Sequence, residues 1–439
     1  MTRRISGELS ALEKKLSPAK TSIIPALLFC TFLTPPSYGN GLAINEQSAS
    51  SAGTAYAGRS SSAIDASTIY GNPAGLTKLK SRQVVGGLSV IKAKDEISDV
   101  ESPSPGTSKG DSIPTGVIPF AYLAQPINDR VWFGLGLYAT AGLINDYEPT
   151  FQGRYYGSYS NAKVLTLQPT IAVKITDGIS FGFGPTINRI DGKLENYLAT
   201  GPLNNGTETR LSMSGDDTAL GYNAGVLFDV TDAATLGVTY HSKVDYHLKG
   251  KTKLSGAPDM FDINGAYDAS LDIVYPESVD TSITYRFNPK WTGYLGTVWT
   301  RWSRLESLDI HNVTPDTVLG KGLANISEPL NWQDTWSVAV GAAYQLNEQW
   351  QLRAGVAYDP SPQHNENRNV RAPIANRKSF AIGAGYSPTS DISIDVAYGY
   401  IRESQANVSQ NDSTGFRPPY KASYQNSANG LTAQLKYEF

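Results

Sequence analysis

Two neighbouring segments near the C-terminus share one pattern, an apolar stripe of period two with an aromatic residue at each end. The stripes are Trp336, Val338, Val340, Ala342 and Tyr344, then, after the turn LNEQ, Trp350, Leu352, Ala354, Val356 and Tyr358. A period of two is typical of a β-strand with one apolar face. Eight steps of about 3.3 Å, tilted by about 40°, give a height of roughly 20 Å, close to the lipid-facing band of a barrel. Strands of a soluble β-sandwich do not need an aromatic residue at each end of the apolar stripe, so the pattern predicts a membrane-spanning β-barrel.

The same period predicts fourteen strands in the chain. They cover residues 82–93, 114–126, 131–144, 163–175, 178–190, 217–230, 234–248, 269–287, 290–303, 332–346, 349–359, 376–387, 391–403 and 428–439. In the strand 234–248 we predict one apolar, lipid-facing stripe, comprising Leu236, Val238, Tyr240, Val244, Tyr246 and Leu248. Closing the sheet into a ring removes unpaired edges, as lipid requires.

The connections between these strands alternate in length. Six are short, whereas those near 94–113, 145–162, 191–216, 249–268, 304–331, 360–375 and 404–427 are long. Bacterial barrels have tight periplasmic turns and long extracellular loops. The alternation therefore predicts an all-β, antiparallel transmembrane barrel in residues 81–439, with both barrel ends on the short-turn side.

The two ends of the chain carry their own signals. Basic residues precede an apolar run at 23–33, which is followed by PPSYG, so residues 1–39 are predicted to be an export signal. At the other end, GLTAQLKYEF alternates and finishes on Phe439. This end resembles the assembly signal of bacterial outer-membrane barrels, which implies the barrel-assembly machinery as a partner.

Residues 40–80 lack an apolar face of steady period and are rich in Ser, Ala and Gly. A fourteen-stranded barrel has a lumen wider than side chains alone fill, because filling stops near eight strands. A segment of small residues that precedes the first strand is well placed to fill it. We therefore interpret residues 40–80 as an N-terminal hatch that plugs the lumen.

The segment NGLAINEQSASSAGTAYAGRSSSAIDASTIYGNPAG, with Asn72, Pro73 and Ala74, resembles the hatch of the FadL/TodX family of outer-membrane transporters. The likeness continues in FQGRYYG, LGVTYHSKVDY, TRWSRLESL and EPLNWQDTW. The resemblance implies a monomeric barrel in the Gram-negative outer membrane. Such a barrel passively takes up hydrophobic compounds, captures them outside and releases them through the wall into the lipid. Long-chain fatty acids are the expected cargo, and aromatic or alkane hydrocarbons are the alternative.

The resemblance also implies gate residues. When Asn45 and Glu46 are matched to the family's Asn-Glu pair, Leu42 falls where the family usually has a pocket-reaching phenylalanine, and Ile44 belongs to the same gate. The family's lateral opening is attributed to a kink in the third strand, where Gly142 is the candidate. A glycine there permits a bulge, or alternatively accommodates hatch backbone. Asn72-Pro73-Ala74 fits an Asx-type turn that ends the hatch.

A fatty-acid carboxylate that leaves water needs a cationic partner. Arg154, Arg189, Lys243 and Arg301 are the predicted candidates, and each could instead be a solvated charge of the lumen or rim. Similarly, KWTGYLGTVWTRW is apolar on both faces, which suggests a pocket lining or aromatic packing against the hatch.

The sequence gives little support for other classes of function. The four histidines show no metal-ligand spacing, and neighbouring His241 and Ser242 point to opposite faces, so we expect no metal, no cofactor and no enzymatic activity. A formal net charge of −3 gives no reason to expect nucleic-acid binding. A surface adhesin, with long loops that bind a host or phage ligand, remains the alternative from a different class.

Overall fold

The structure is a computed structural model that describes residues 41–314, 318–411 and 417–439. The expected export signal, residues 1–39, lies outside these ranges. The described residues form nineteen strands, and their bounds are β1 Gln83–Glu101, β2 Gly116–Pro126, β3 Val131–Asp146, β4 Tyr159–Thr176, β5 Ile179–Leu198, β6 Thr209–Asp229, β7 Ala234–His241, β8 Val244–Ser255, β9 Gly265–Tyr275, β10 Ser278–Arg286, β11 Trp291–Thr300, β12 Ser307–Asn312, β13 Asn325–Pro329, β14 Thr335–Gln345, β15 Trp350–Asp359, β16 Arg377–Tyr386, β17 Ile392–Glu403, β18 Ala406–Gln410 and β19 Tyr420–Glu438.

Fourteen of these strands form a closed antiparallel ring. The order is β1, β2, β3, β4, β5, β6, β7, β10, β11, β14, β15, β16, β17, β19 and back to β1. The first and last strands close the ring, with Gln83 opposite Glu438. Both barrel ends therefore lie on the short-turn side, and the predicted fourteen-stranded barrel is confirmed.

The other five strands extend the wall on the side of the long connections. β8 pairs with the first part of β6, β9 with β8, β12 with β9, β13 with β12, and β18 with the start of β19. Much of what we predicted as long loops at 191–216, 249–268, 304–331 and 404–427 is therefore strand. The prediction was wrong there because strands beyond the bilayer have no lipid to face, so their outward residues are polar.

The outward face within the bilayer is apolar, as the alternation predicts. Val338, Leu352 and Leu435 are all exposed, although each belongs to a long apolar stripe. Their neighbours of opposite parity, such as Thr432 and Gln434, are buried. In water such a surface would be an aggregation hazard, whereas in lipid it is the solvated face.

One predicted stripe is divided between two faces. Leu236, Val238 and Tyr240 lie outward on β7, but Val244, Tyr246 and Leu248 on β8 are buried. Asn223 pairs with His241 and Asp216 with Lys249, so the nine residues 241–249 lie opposite the eight residues 216–223 of β6. The extra residue is a β-bulge near Ser242 and Lys243, and it turns the following side chains to the opposite face. Our assignment of the last three residues to the lipid face was wrong for this reason.

Residues 41–80 lie inside the ring, because they contact strands all around it. Their helical parts are α1 (Ala49–Ala52), α2 (Thr68–Gly71) and a 3₁₀ helix (Pro73–Lys78). The side chains of Gln47, Ser60 and Asn72 bond to β3, β10 and β6 respectively. Further short helices lie in the connections, namely α3 (Val318–Leu323) and 3₁₀ turns at Gly201–Leu203, Asp259–Phe261, Trp302–Arg304 and Asn365–Asn367.

Glycines in the wall make room for this segment. A Cβ atom on Gly225 would lie 2.0 Å from Asn72 Oδ1, and one on Gly237 would lie 1.9 Å from the Ser60 carbonyl oxygen. Backbone can approach the wall this closely only where the wall residue has no side chain. In the part of the chain that the structure describes, no helix is long and apolar enough to cross a bilayer, a finding that does not bear on spanning by strands.

Candidate functional site

The main candidate site is an apolar cavity inside the wall, which we call the apolar cavity. It encloses about 980 Å³ of empty space, part of it open to solvent. Its apolar lining comprises Leu42, Leu143, Ala162, Ile190, Leu194, Met213, Leu248, Ala269, Leu271, Ile273, Leu305, Leu308, Ile310, Leu330, Trp332 and Ala372.

The β7–β8 bulge is one reason why this cavity is apolar. It turns Leu248 inward, and the register places Leu271 of β9 directly opposite Leu248. Without the extra residue, the outward Lys249 would take the inward place. The cavity lining therefore depends on a backbone irregularity as well as on the residue types.

Residues 42–44 form one edge of the apolar cavity by pairing with β3. The Gly142 N–H donates to the Leu42 carbonyl oxygen over 3.0 Å, and the Ile44 N–H donates to the Thr140 carbonyl oxygen over 3.0 Å. This pairing directs the Leu42 side chain into the cavity lining. Ile44 is instead buried between the wall residues of another apolar cluster.

Arg371 is the buried cation of the cavity lining. It comes from the connection between β15 and β16, and burial lowers its pKa. Its guanidinium donates to the carbonyl oxygens of Tyr159 and Glu195 over 3.2 and 3.1 Å. The Nε atom lies 3.4 Å from Glu328 Oε2 but has no hydrogen-bond partner. Lys193 also borders the cavity, yet its ammonium group pairs with Glu195 over 2.8 Å.

Sequence reasoning missed Arg371. The predicted loop 360–375 contains two arginines, Arg368 and Arg371, and loop arginines are usually solvated. The path of the connection back into the ring buries both, and no local pattern marks that path.

The four predicted cations do not line the apolar cavity. Arg154 is buried and bonded to Glu208, with Nη2 2.7 Å from Oε1. The other three are at least 40 % exposed and lie beside a carboxylate: Arg189 with Asp216, Lys243 with Asp245, and Arg301 with Glu277. The structure therefore does not bring the four together.

A gap in the ring opens beside the gate residues. The β2–β3 ladder ends at Ala121 opposite Leu137, although β2 begins at Gly116 and β3 continues to Asp146. At this point β3 carries a bulge, because Ala139 and Ala141 pair with the consecutive residues Leu165 and Val164. The bulged residue is Thr140, two positions before Gly142. The third strand does carry an irregularity, but it lies at Thr140 and not at Gly142. The Gly142 N–H donates to the Leu42 carbonyl oxygen.

Behind residues 42–44 lies a buried polar network. Arg59 Nε donates to Asp280 Oδ2 over 2.8 Å, and Arg59 Nη1 donates to Asn45 Oδ1 over 2.8 Å. Ser60 also donates to Asp280. The Glu46 carboxylate accepts the Asn45 N–H over 2.9 Å. Burial raises the pKa of Glu46, although the charges of Arg377 and Arg59 oppose this effect.

Residues 42–46 separate three cavities. Leu42 lines the apolar cavity, Ala43 and Asn45 line a smaller polar one, and Asn45 and Glu46 line a third of about 970 Å³ of empty space. We call residues 42–46 the gate segment.

Asn72, Pro73 and Ala74 lie at the wall rather than at a cavity gate. The Asn72 amide donates to the Ser60 and Val226 carbonyl oxygens over 2.7 and 3.0 Å. Its oxygen accepts the Ala74 N–H over 3.0 Å, which makes an Asx turn and caps the 3₁₀ helix. This turn ties the end of the N-terminal segment to β6.

The strand β11 shows why KWTGYLGTVWTRW is apolar on both faces. Trp291 and Leu295 face outward and are exposed, whereas Tyr294 is buried against Ala57 of the N-terminal segment. Trp302 lies beyond the strand and packs with Trp332 and Leu42 at the edge of the apolar cavity. The two interpretations thus apply to different residues of this segment: packing against the N-terminal segment applies to Tyr294, and the pocket edge applies to Trp302.

The described ranges contain no candidate metal site. There, no group of three or more His, Cys, Asp or Glu side chains could hold a metal ion.

Comparisons with known proteins agree with this architecture. Residues 30–439 match the family model described as outer membrane protein transport protein (OMPP1/FadL/TodX). A long-chain fatty acid transport protein of Salmonella typhi is 26% identical over 86% of this chain and 91% of its own length. A Pseudomonas aeruginosa FadL homologue superposes with a TM-score of 0.81 at 24% identity, over 91% of this chain and 100% of that one. The Ralstonia pickettii toluene transporter TbuX superposes with a TM-score of 0.66 at 18% identity, over 90% and 99%.

Proposed function

Because the chain belongs to the OMPP1/FadL/TodX family of outer-membrane transport proteins, we propose that it is a passive channel for long-chain fatty acids. The family consists of transporters of hydrophobic compounds and not of enzymes. The finer proposal concerns the cargo and the path. It rests on one observation: a buried arginine, Arg371, lies in the lining of a mainly apolar cavity.

The cavity lining suits a molecule with an apolar tail and an anionic head. Buried apolar surface favours the tail by about 25 cal/mol per Å². A carboxylate taken from water needs a cation, and the free Nε–H of Arg371 is a donor for it. Glu328 is the competing acceptor at 3.4 Å, so a bound carboxylate would replace this long contact with a hydrogen bond.

The path follows from the order of the cavities. A compound enters from the side of the long connections, occupies the apolar cavity and contacts Leu42. When the gate segment moves away from β3, the compound reaches the edges of β2 and β3 that do not pair with each other, and it leaves into the lipid. The missing ladder bonds beyond Leu137 support this lateral exit.

In this account residues 40–80 are a hatch, residues 1–39 are an export signal and residues 81–439 are the barrel. The hatch blocks free diffusion through the lumen, so we expect deletion of residues 40–56 to give a leaky pore in planar bilayers. An unchanged ion conductance would contradict the plug. We further expect a monomer, inserted by the barrel-assembly machinery through Phe439.

Hydrocarbon uptake is the second candidate function. Apart from Arg371, Lys193 and a few uncharged polar groups, the cavity lining offers a hydrocarbon the same apolar contact as a fatty-acid tail. Similarity of fold to a toluene transporter leaves both cargoes open.

The deciding experiment measures uptake of labelled oleate, toluene and a mid-length alkane by cells that lack their own transporters. We expect oleate uptake that Arg371→Gln lowers about tenfold or more, the usual effect of losing a charged hydrogen bond. Arg371→Lys, which keeps the charge, is the matched control and should retain most uptake. Toluene uptake without oleate would overturn the fatty-acid proposal in favour of the hydrocarbon channel.

A further inference from the structure

A row of basic side chains crosses four neighbouring strands on the outside of the barrel. The register places Lys94 of β1 beside Ser427 of β19, Ser427 beside Arg402 of β17, and Arg402 beside Lys378 of β16. Lys92 lies two residues before Lys94, on the same face of β1. All four basic side chains are exposed. We call Lys92, Lys94, Lys378 and Arg402 the basic row.

The basic row lies just beyond the apolar band. On β16 and β17 the next outward residues towards the short turns are Phe380 and Tyr400, which are 48% and 36% exposed. Outward aromatic residues mark the membrane–water interface of a barrel. Two residues along a tilted strand correspond to a rise of about 5 Å. The basic groups therefore lie at the depth of lipid headgroups, on the side of the long connections.

The charges of the row are poorly compensated by the protein. Arg402 and Lys378 are directly opposite each other, and like charges in that position destabilise a sheet. Glu96 pairs with Lys94, but within the described ranges no ion pair joins Lys92, Lys378 or Arg402 to a carboxylate. The adjacent acids Asp95 and Glu403 are buried on the inward face. Glu96 also lies close enough to Arg402 for their charges to interact, and a bound anion would offset the remaining repulsion between Lys378 and Arg402.

We propose that the basic row binds the phosphate groups of a phosphorylated glycolipid, the lipid A portion of the outer leaflet. Arginine offers two parallel donors to a phosphate, and the lysines add point charges on either side. Neighbouring strands are about 4.8 Å apart, so a single phosphate can contact both Lys378 and Arg402. A lipid is favoured over a free anion because its acyl chains would continue along the outward apolar residues below, such as Phe380 and Ile382.

The test uses the full-length protein in detergent and measures binding of bisphosphorylated lipid A, dephosphorylated lipid A and inorganic phosphate. We expect saturable binding of bisphosphorylated lipid A only. The double variant Lys378→Gln/Arg402→Gln should weaken it at least tenfold. The matched control Lys249→Gln/Lys253→Gln removes the same charge from outward positions higher on β8 and should leave the affinity unchanged.

A second readout separates binding from misfolding. In detergent without lipid A, Lys378→Glu should raise the melting temperature, because it replaces a repulsive pair with an attractive one, while it abolishes binding. Equal binding by the basic-row and control variants would overturn the proposal. Full displacement of lipid A by millimolar inorganic phosphate would also overturn the proposal, because the site would then recognise a free anion and not a lipid.

Discussion

Arg59 of the N-terminal segment is joined to Asp280 of β10 by an ion pair of 2.8 Å, and the two side chains are only 10% and 4% exposed. The same guanidinium bonds Asn45 of the gate segment. Asp280 of the wall therefore holds the gate segment in place through Arg59. A buried pair of this kind adds little net stability, but breaking it leaves an uncompensated charge.

The first prediction concerns this pair. Asp280→Asn should lower the free energy of unfolding by about 3–5 kcal/mol, because the Arg59 charge stays buried without its partner. The control is Asp229→Asn, which breaks the half-exposed pair of Lys78 and Asp229 between the same two parts of the protein. An exposed pair contributes about 0–1 kcal/mol. Denaturant unfolding of both variants measures the difference, and equal losses would contradict the anchoring role.

The second prediction concerns the contact of the gate segment with cargo. Leu42→Ala removes apolar surface from the cavity lining and should weaken binding of a fluorescent fatty acid roughly tenfold, since each lost CH₂ contributes up to about 0.8 kcal/mol. Leu295→Ala removes the same atoms from the lipid-facing surface and serves as the control. A comparable loss in both variants would show that Leu42 has no specific contact with the ligand.

The third prediction concerns the pH dependence of the gate. Burial raises the pKa of Glu46 above its ordinary value of 4.5, so the folded protein holds this proton more tightly than the unfolded chain does. The stabilisation is complete below pH 4.5 and is lost as the pH rises through the raised value. Relative to wild type, Glu46→Gln should therefore become progressively more stable from about pH 4.5 towards neutral pH. Melting curves across this range are the measurement, and a constant difference would refute it.

The membrane-facing part of the fold can be predicted from the sequence for a simple reason. Lipid requires an apolar side chain at every second position, so stripes such as the one from Trp336 to Tyr344 identify both the strands and their faces. The short turns follow once the strands are placed. The family resemblance of the N-terminal segment also identifies Leu42, which the structure places in the cavity lining.

What could not be predicted depends on single irregularities and on loop paths. The bulge near Ser242 leaves the alternation intact on both sides, so no local signal shows that Leu248 has changed face. The bulge in β3 occurs at Thr140 instead of at Gly142, since a β-bulge does not require glycine. Arg371 reaches the apolar cavity only because a long connection folds back into the barrel.

The fourth prediction tests the lateral exit, the central claim about the path. Deletion of Thr140 removes the extra residue of β3 while it preserves the register and facing of the residues on either side. The β2–β3 ladder can then extend beyond Leu137, and the gap in the wall should close.

The measurement is oleate uptake by transporter-deficient cells that express either the wild-type protein or the Thr140 deletion variant, at equal levels of folded barrel. We predict that the deletion abolishes uptake while the purified variant still binds fatty acid in the apolar cavity. Uptake at the wild-type rate would contradict an exit between β2 and β3.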